Sequence, residues 1–358
     1  MRFQTQLTRR LGLEHPIIQA PMAGGATTVD LVAAVSQAGG LGSFGAAYSS
    51  PEQIVELSRE LRSRTDRPFA INLFVPLPEP RPSDPSAMVA AISGYHEELG
   101  LSAPGPPTWT QDPFEGQFEA VLESGANVFS FTFGTPPDDA MKALKQQGVF
   151  VIGTATTVKE AVTLERLGVD AIAAQGSEAG AHRGTFAAPF ESAMIGTLAL
   201  VPQVVDAVTV PVIASGGIMD GRGVAAALAL GAQAAQMGTA FLTCDEAGIS
   251  PAHKEAILAA GEDETRVTRA FSGRPARGIV NRFMKEVEMA DGGDRLLPFP
   301  LQNTLTSEMR KAAGQQGRAE YLSLWAGQGV RLACRLSAKE LVEHVTAELE
   351  ETVTRLGS

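Results

Sequence analysis

The sequence predicts an α/β fold, a (β/α)8 TIM barrel with a mainly helical insertion after its eighth strand. Eight short apolar runs recur between residues 17 and 237, and a helical pattern separates each run from the next. Because these runs do not alternate with polar residues, they indicate parallel strands that are buried on both faces. Eight such units fit a closed barrel. The rival architecture, an open doubly wound sheet, usually has fewer strands and a phosphate motif at its first turn.

The predicted elements follow one another in the order that a barrel requires. The predicted strands span 17–20, 41–44, 69–73, 127–131, 149–152, 171–174, 212–214 and 234–237. The predicted helices span 29–38, 51–64, 85–99, 115–124, 138–147, 157–167, 197–207 and 221–230. Ser50 suits an N-cap and Pro51 the first helical position, while Gly148 and Gly168 suit helix ends.

A proline-rich stretch, 76–113, interrupts this rhythm. We predict that it is a long connection around one helix, and we assign no function to residues 74–114.

The pattern changes after residue 237. Helices are predicted at 247–261, 306–314 and 320–326, and the basic stretch 269–283 is predicted to be irregular. A long amphipathic helix follows at 338–356, and we expect it to be the eighth helix of the barrel. The barrel domain would then comprise 1–240 and 326–358, and residues 241–325 would form a substrate-binding or lid domain over the strand ends.

Composition and charge exclude several classes of function. A net charge of −11 is unsuitable for general nucleic-acid binding. No apolar stretch is long enough for a membrane span, and the first residues lack the apolar core of a signal peptide. Two cysteines, Cys244 and Cys334, cannot form a disulfide framework or a structural zinc site by themselves. We therefore expect a cytoplasmic protein, and a homodimer is compatible with the sequence.

Glycine is the unusual component, with 37 glycines in 358 residues against a usual fraction of about 7%. Some of them fall where function collects in a barrel, at the carboxyl ends of the strands. Gly216 and Gly217 follow the seventh strand, and Gly238 and Thr239 follow the eighth. Backbone N–H groups in such turns bind anions, so these residues predict a phosphate site. The alternative is that the glycines serve close packing alone.

The bound phosphate could belong to a sugar phosphate or to a flavin. Asn72 and Gln175 favour the flavin, because each is an uncharged amide at a strand end. An amide both donates and accepts hydrogen bonds, which suits the pyrimidine edge and ribityl hydroxyls of a flavin. The alternative is that these amides only satisfy the backbone of neighbouring loops. The segment GLGSFG at 40–45 has dinucleotide-binding spacing but is discounted, since a helix precedes it and the strand lies inside it.

His182 is the candidate catalytic residue. It is one of five histidines and lies in the glycine-rich segment EAGAHRG after the sixth strand. An ordinary histidine pKa of about 6.5 allows it to act as acid, base or hydrogen-bond donor, although a purely structural loop histidine is the alternative. Glu178 and Arg183 are expected to orient this loop or to pair with each other. No metal site is predicted, because no second histidine or cysteine is near.

Together, these motifs resemble those of the nitronate monooxygenases, formerly called 2-nitropropane dioxygenases. The similar segments, in chain order, are QAPMAGG, NLF, EAGAHRG, ASGGIMDGRG and QMGTAF. LPFPLQNTLT, residues 297–306, resembles the carboxyl-terminal signature of class I members. The resemblance covers residues 10–335.

The resemblance implies an FMN-bound barrel that oxidises alkyl nitronates, such as propionate 3-nitronate, with O2 to a carbonyl compound and nitrite. Its catalytic histidine would be His182. The residues implied in FMN binding are Met22, Asn72, Gln175, Gly180, Gly216, Gly217, Gln236, Met237, Gly238 and Thr239. One departure is Thr132, which stands where class members often have histidine and which cannot carry a charge.

Two alternatives remain from the sequence. An FMN-dependent enoyl-acyl-carrier-protein reductase shares the barrel, the glycine loops and an EAG-x-H motif, and it would use NAD(P)H. The LPFPLQN block and the helical lid favour the monooxygenase. A flavin-free phosphate-binding barrel, either an isomerase or a non-catalytic binding protein, is the third interpretation.

Overall fold

Eight parallel strands form the barrel, which confirms the predicted fold class. The computed structural model describes residues 3–80, 83–109, 112–289, 293 and 295–357. Its strands are β1 (Ile17–Gln19), β2 (Gly42–Gly45), β3 (Phe69–Phe74), β4 (Val128–Thr132), β5 (Phe150–Ala155), β6 (Ala171–Gln175), β7 (Ala181–His182), β8 (Val212–Ser215), β9 (Ala234–Met237), β10 (Thr265–Thr268) and β11 (Ala276–Ile279). Strands β1–β6, β8 and β9 build the barrel in the order β1-β9-β8-β6-β5-β4-β3-β2.

The barrel closes between β1 and β2 through the backbone of Leu41. Its N–H donates to the carbonyl of Ile17 and its carbonyl accepts from the N–H of Gln19, both at 3.0 Å. The remaining seven contacts between neighbouring strands are regular parallel ladders. Parallel strands buried on both faces require the continuous apolar runs that predicted them.

The helices agree closely with the sequence prediction in the barrel. They are α1 (Gln6–Leu11), α2 (Val29–Gln37), α3 (Pro51–Arg64), α4 (Ser86–Glu98), α5 (Phe114–Glu123), α6 (Asp138–Gln146), α7 (Val158–Leu167), α8 (Thr197–Ala207), α9 (Gly221–Ala229), α10 (Thr239–Leu242), α11 (Pro251–Ala259), α12 (Arg282–Met289), α13 (Leu301–Gln316) and α14 (Ala338–Gly357). Ser50 caps α3 as predicted, through a hydrogen bond to the N–H of Gln53.

The last helix packs as expected for the eighth helix of the barrel. α14 packs against α9, which follows the seventh barrel strand β8, and against α2, which follows the first strand β1. Leu341, Val345 and Leu349 of its predicted apolar stripe are buried, whereas Leu356 is 76% exposed. The stripe therefore ends before the helix does.

The prediction between residues 265 and 326 was wrong in two places. The stretch predicted to be irregular contains β11, which pairs with β10 and β7 in a small antiparallel sheet. The helix predicted at 320–326 is only a short 3-10 turn, Ala319–Tyr321. The chain leaves helical geometry there because Leu324 offers its carbonyl to the N–H of Ile279 at 2.8 Å. Backbone pairing with the sheet thus outweighs local helix preference.

A second hydrophobic core lies above the strand ends. It joins residues of α11, α12 and α13 with Met88, Ile92 and Tyr95 of α4. The predicted long connection is therefore in part a component of this second core, although its residues 81, 82, 110 and 111 lie outside the described residues. The guanidinium of Arg282 in α12 donates two hydrogen bonds, of 2.8 and 3.0 Å, to the carboxylate of Glu98 in α4. The division of the chain into domains at 241–325 stays a prediction.

In the described part of the chain, no helix is both long and apolar enough to cross a membrane.

The contact between α9 and α14 predicts a specific sensitivity to side-chain volume. A Cβ at Gly221 would lie 2.3 Å from the backbone nitrogen of Leu349, so Gly221→Ala must separate the two helices. We expect a loss of about 1–3 kcal/mol in the free energy of unfolding. Gly94→Ala is the matched control, because a Cβ at this helical glycine meets nothing within 4 Å, and it should stabilise by about 0.5–1 kcal/mol. Equal effects of the two substitutions in urea unfolding would contradict this account of barrel closure.

Candidate active site

The predicted site residues gather around one cavity of about 280 Å³ at the carboxyl ends of the barrel strands. Those that line it are Met22, Asn72, Gln175, Gly180, His182, Gly216, Gly217, Gln236, Gly238 and Thr239. Met237 is the exception, because its side chain is 1% exposed and belongs to the hydrophobic core of the barrel.

Free backbone donors face the cavity after β8 and β9. Gly217 has a φ of +73°, a conformation that favours glycine. Within the described residues, no protein acceptor takes the backbone N–H of Gly217 or of Gly238. Buried or ligand-facing N–H groups need a partner, so these two donors fit an anionic group such as a phosphate.

Neither backbone conformation nor protein packing requires a glycine at position 238. Its φ of −104° is accessible to any residue, and a Cβ there would make only ordinary contacts with Ala20 and Met22, at 3.6 and 3.9 Å. The space beside Gly238 is therefore a cradle that a side chain would partly fill.

Other glycines of the site are explained by protein packing alone. A Cβ at Gly180 would lie 2.6 Å from the backbone nitrogen of Gly327, and one at Gly184 would lie 2.9 Å from the side chain of Thr154. A Cβ at Gly176 would lie 2.0 Å from the hydroxyl oxygen of Thr197. The glycines of the loop after β6 thus make room for neighbouring protein atoms, both backbone and side chain.

The amides of the site have different uses. Asn72 is buried and donates to the hydroxyl of Ser130 at 2.9 Å, and Gln236 donates to the hydroxyl of Ser215 at 3.2 Å. Both hold strand-end hydroxyls and keep further hydrogen-bonding capacity. The Gln175 amide instead donates to the carbonyl of His182 at 3.1 Å and accepts from the N–H of Gly184 at 2.8 Å. Gln175 therefore shapes the loop that carries the histidine.

His182 lies between the barrel and the small sheet above it. Together with Ala181 it forms β7, which pairs with Ala276 and Arg277 of β11. The Nε2 atom of His182 is 2.9 Å from the hydroxyl oxygen of Ser272. That hydroxyl also lies 3.1 Å from the carbonyl of Arg274, to which it can donate. The imidazole is thus held by a neutral hydrogen-bond partner rather than by a carboxylate.

Aromatic rings surround the histidine. Phe74, Phe133, Phe299 and Trp325 have ring centroids 5.8–6.2 Å from that of His182. Burial, together with the nearby cations Arg274 and Arg310, lowers the pKa of His182 to about 3. The imidazole is therefore neutral at physiological pH.

The backbone carries unfavourable conformations on both sides of this histidine. Ala181 has a φ of +58° and Phe133 one of +83°. Such left-handed conformations cost about 1–3 kcal/mol each for residues other than glycine, and they cluster at functional sites. The guanidinium of Arg274 stacks 3.8 Å from the centre of the Phe133 ring, and β-sheet pairing fixes Ala181. The fold thereby holds both residues in place.

Buried charges orient the loop after β6, as predicted for Glu178 and Arg183. Arg183 is 1% exposed and donates to the carbonyls of Gln175, Gly176 and Ala193. Glu178 accepts from the N–H and hydroxyl of Thr197 at 2.9 Å. No ion pair joins Glu178 to Arg183, so the predicted alternative of mutual pairing is not formed.

Sequence reasoning missed several residues of the site. Ser272 comes from the stretch predicted to be irregular, and Arg310 and Trp325 come from segments predicted to be helical to which no role in the site was assigned. Arg310 could have been found, because α13 places it four residues after Thr306 and seven after Asn303, on one helix face. Thr132, the departure noted from sequence, lines the cavity with its hydroxyl 3.5 Å from that of Thr154.

No group of three potential metal ligands occurs within the ranges that the structure describes.

The family model for nitronate monooxygenase matches residues 5–348. A probable nitronate monooxygenase of Staphylococcus saprophyticus is 43% identical over 358 residues, which cover 99% of this chain and all of that protein. This chain belongs to the nitronate monooxygenase family. A probable nitronate monooxygenase of Bacillus subtilis is 44% identical over 351 residues, covering 96% of this chain and 98% of that one.

Two solved structures superpose on nearly the whole chain. Nitroalkane oxidase from Streptomyces ansochromogenes superposes with a TM-score of 0.90 at 42% identity, covering 98% of this chain and 100% of that one. FabK from Thermotoga maritima superposes with a TM-score of 0.78 at 32% identity, covering 99% and 98%. The family resemblance predicted from the motifs is therefore confirmed, and the chain is an oxidoreductase enzyme.

The buried environment of His182 predicts its charge state. With a pKa of about 3, the imidazole should remain neutral between about pH 5 and about pH 8, where an ordinary histidine titrates. Histidine-selective ¹⁵N labelling and NMR would measure this, with His182→Gln used to identify the ring signals. An imidazolium form of His182 that appears with a midpoint near the ordinary value would contradict the burial argument.

Proposed function

We propose that this enzyme is an FMN-dependent monooxygenase that oxidises alkyl nitronates, such as propionate 3-nitronate, with O2 to a carbonyl compound and nitrite. The observation that carries the proposal is the arrangement of one cavity. Gly217 and Gly238, whose backbone N–H groups have no protein acceptor among the described residues, line this cavity together with a neutral His182 that is surrounded by aromatic rings. Family membership supports the same reaction.

The residues present fit a flavin mononucleotide. Gly217, Gly238 and Thr239 would hold its phosphate, and Met22 lies beside the cradle at Gly238. The amides of Asn72 and Gln236 supply paired donors and acceptors for its polar edges. When bound, the flavin supplies the redox chemistry that no side chain of the cavity can perform. Residues Gln175 and Gly180 act indirectly, because they shape the loop that carries His182.

His182 would bind the reacting end of the substrate. Its Nε2 is engaged by Ser272, and within the described residues no protein group bonds Nδ1. The Ser272 hydroxyl can accept from a protonated Nε2 or donate to a bare one, so Nδ1 can be an acceptor or a donor. As a donor, Nδ1–H orients an anionic nitronate. As an acceptor, Nδ1 is a weak base for the α-proton of a neutral nitroalkane, because the pKa of His182 is lowered to about 3, so the preformed nitronate is the favoured substrate.

The aromatic wall would control the surroundings of the reaction. Phe74, Phe133 and Trp325 place apolar surface around the imidazole. Because few polar groups compete there, a hydrogen bond from His182 to a nitronate oxygen is stronger than it would be in water. The same surface admits the apolar O2 molecule and disfavours water.

Oxygen uptake tests the reaction. The purified enzyme should consume O2 with propionate 3-nitronate and release nitrite, and NADH should neither be required nor be oxidised. His182→Asn should lower kcat/KM at least about 100-fold with flavin retained, because general acid–base and orienting groups contribute on this scale. His344→Asn is the control, since His344 is exposed on α14, where it pairs with Glu348 of the same helix. Rapid NADH-driven flavin reduction would instead select the enoyl-acyl-carrier-protein reductase, and unchanged kinetics of His182→Asn would remove the histidine from the mechanism.

Gly238→Val tests the cofactor without relying on turnover. The protein tolerates a Cβ at this position, so the melting temperature of the apoprotein should change little. Flavin affinity should fall at least about 10-fold, because the added methyl groups would occupy the cradle meant for the phosphate. The flavin released from wild type should be identified as FMN by chromatography. If wild type neither contains nor takes up a flavin, the flavin-free phosphate-binding barrel replaces this proposal. If Gly238→Val binds FMN as wild type does, the assignment of Gly238 is wrong.

A further inference from the structure

Arg310 of α13 is the only charged side chain among the described residues that line the cavity. Its Nε donates to the hydroxyl of Thr306 at 3.2 Å, and its Nη2 donates to the carbonyl and the side-chain oxygen of Asn303 at 2.9 and 2.8 Å. These acceptors are all neutral. Within the described residues, no carboxylate pairs with Arg310 and no protein acceptor takes the protons of its Nη1.

The buried arginines Arg183, Arg274 and Arg277 each lie near a carboxylate, that of Glu160 or of Glu178. Arg183 donates to several backbone carbonyls, and Arg282 donates to two carboxylates. Arg310 differs, because burial lowers the pKa of its guanidinium and no carboxylate offsets this effect. A buried charge without a counter-charge is destabilising, so its position on a ligand cavity points to an anion that arrives with the ligand.

Arg310 lines the same cavity as His182 and as Gly217 and Gly238. Its charge acts on Tyr48 and on His182. Tyr48 lines the cavity, is 47% exposed and therefore lies at its rim. The Phe74 ring contacts both Tyr48 and His182. The cavity thus contains a neutral group, His182, and a cationic group, Arg310, close enough for the charge of Arg310 to lower the pKa of His182.

We propose that Arg310, positioned by Asn303 and Thr306, binds a carboxylate at the end of the substrate remote from the nitronate. The enzyme would then select nitronates that carry a carboxylate over simple alkyl nitronates. This inference rests on the proposed function, which assigns the nitronate end to His182. A guanidinium suits the task, because it forms paired, charge-assisted hydrogen bonds with a carboxylate.

Two nitronates of equal length test the selection. Propionate 3-nitronate carries a carboxylate where propyl 1-nitronate carries a methyl group. In Arg310→Met, kcat/KM for propionate 3-nitronate should fall about 100-fold, while that for propyl 1-nitronate should change less than about 3-fold. Arg310→Lys keeps the charge but loses the planar pair of N–H donors. Its kcat/KM should fall about 10-fold for propionate 3-nitronate only. Lys311→Met is the matched control, since it removes one positive charge from the neighbouring, exposed position of α13.

A binding measurement separates this inference from the proposed reaction. Succinate has the shape of propionate 3-nitronate and butyrate has that of propyl 1-nitronate, and neither is oxidised as a nitronate. Calorimetric titration of the flavin-loaded enzyme should show that wild type binds succinate at least about 10-fold more tightly than butyrate. Arg310→Met should bind the two with equal affinity.

The outcomes are distinct. Equal losses on both nitronates, an effect of Lys311→Met as large as that of Arg310→Met, or no preference of wild type for succinate would each overturn the role of Arg310. If wild type oxidises neither nitronate but prefers succinate in an Arg310-dependent manner, the carboxylate site stands and the proposed reaction fails. Arg310→Lys keeps the test valid if Arg310→Met does not fold.

Discussion

The candidate site depends on the pairing of a two-residue strand with the small sheet above the barrel. Ala181 and His182 leave the end of β6 and hydrogen-bond to β11, so the loop that carries the histidine belongs to both layers. Strand pairing supplies main-chain hydrogen bonds that do not depend on which side chains flank them. It also fixes the left-handed conformation of Ala181, which an isolated loop would not keep.

Buried polar groups then fix the rest of that loop. Glu160 is fully buried, and its carboxylate accepts from the N–H and hydroxyl of Thr156 and from the N–H groups of Phe186 and Ala187, at 2.7–2.8 Å. Arg183 binds carbonyls on the other side of the loop. Because a buried carboxylate is costly without hydrogen-bond donors, the four hydrogen bonds to Glu160 favour this one geometry of the loop. The cavity wall is therefore preorganised rather than assembled by a ligand.

Much of the barrel and the family were predictable, since both depend on local signals. Apolar runs, caps such as Ser50 and helix-ending glycines act over a few residues, and they located the barrel strands and helices to within about three residues. The region above the barrel was harder to predict, because β11 and Leu324 pair across distances in the chain that no local pattern encodes. The glycine excess was explained only in part by a ligand site, since a Cβ at Gly180 or Gly184 would meet protein atoms.

Within the site too, the residues fixed by local signals could be predicted, and those placed by long-range pairing could not. Residues at strand ends, such as Asn72 and Gln236, follow from the architecture of a barrel. Ser272 and Arg310 come from elements whose placement the sequence did not specify, and so does the aromatic wall.

The link between α4 and α12 has a consequence for the connectivity of the molecule. The segment that carries α4 leaves the barrel after β3 and returns before β4, and it shares the second core with the helices that follow β9. The upper layer is consequently tethered to the barrel by chain crossings from two distant parts of the sequence. A body tethered at several separate points has few rigid rotations available to it, so access to the cavity is expected to depend on side chains at its rim rather than on a swinging domain.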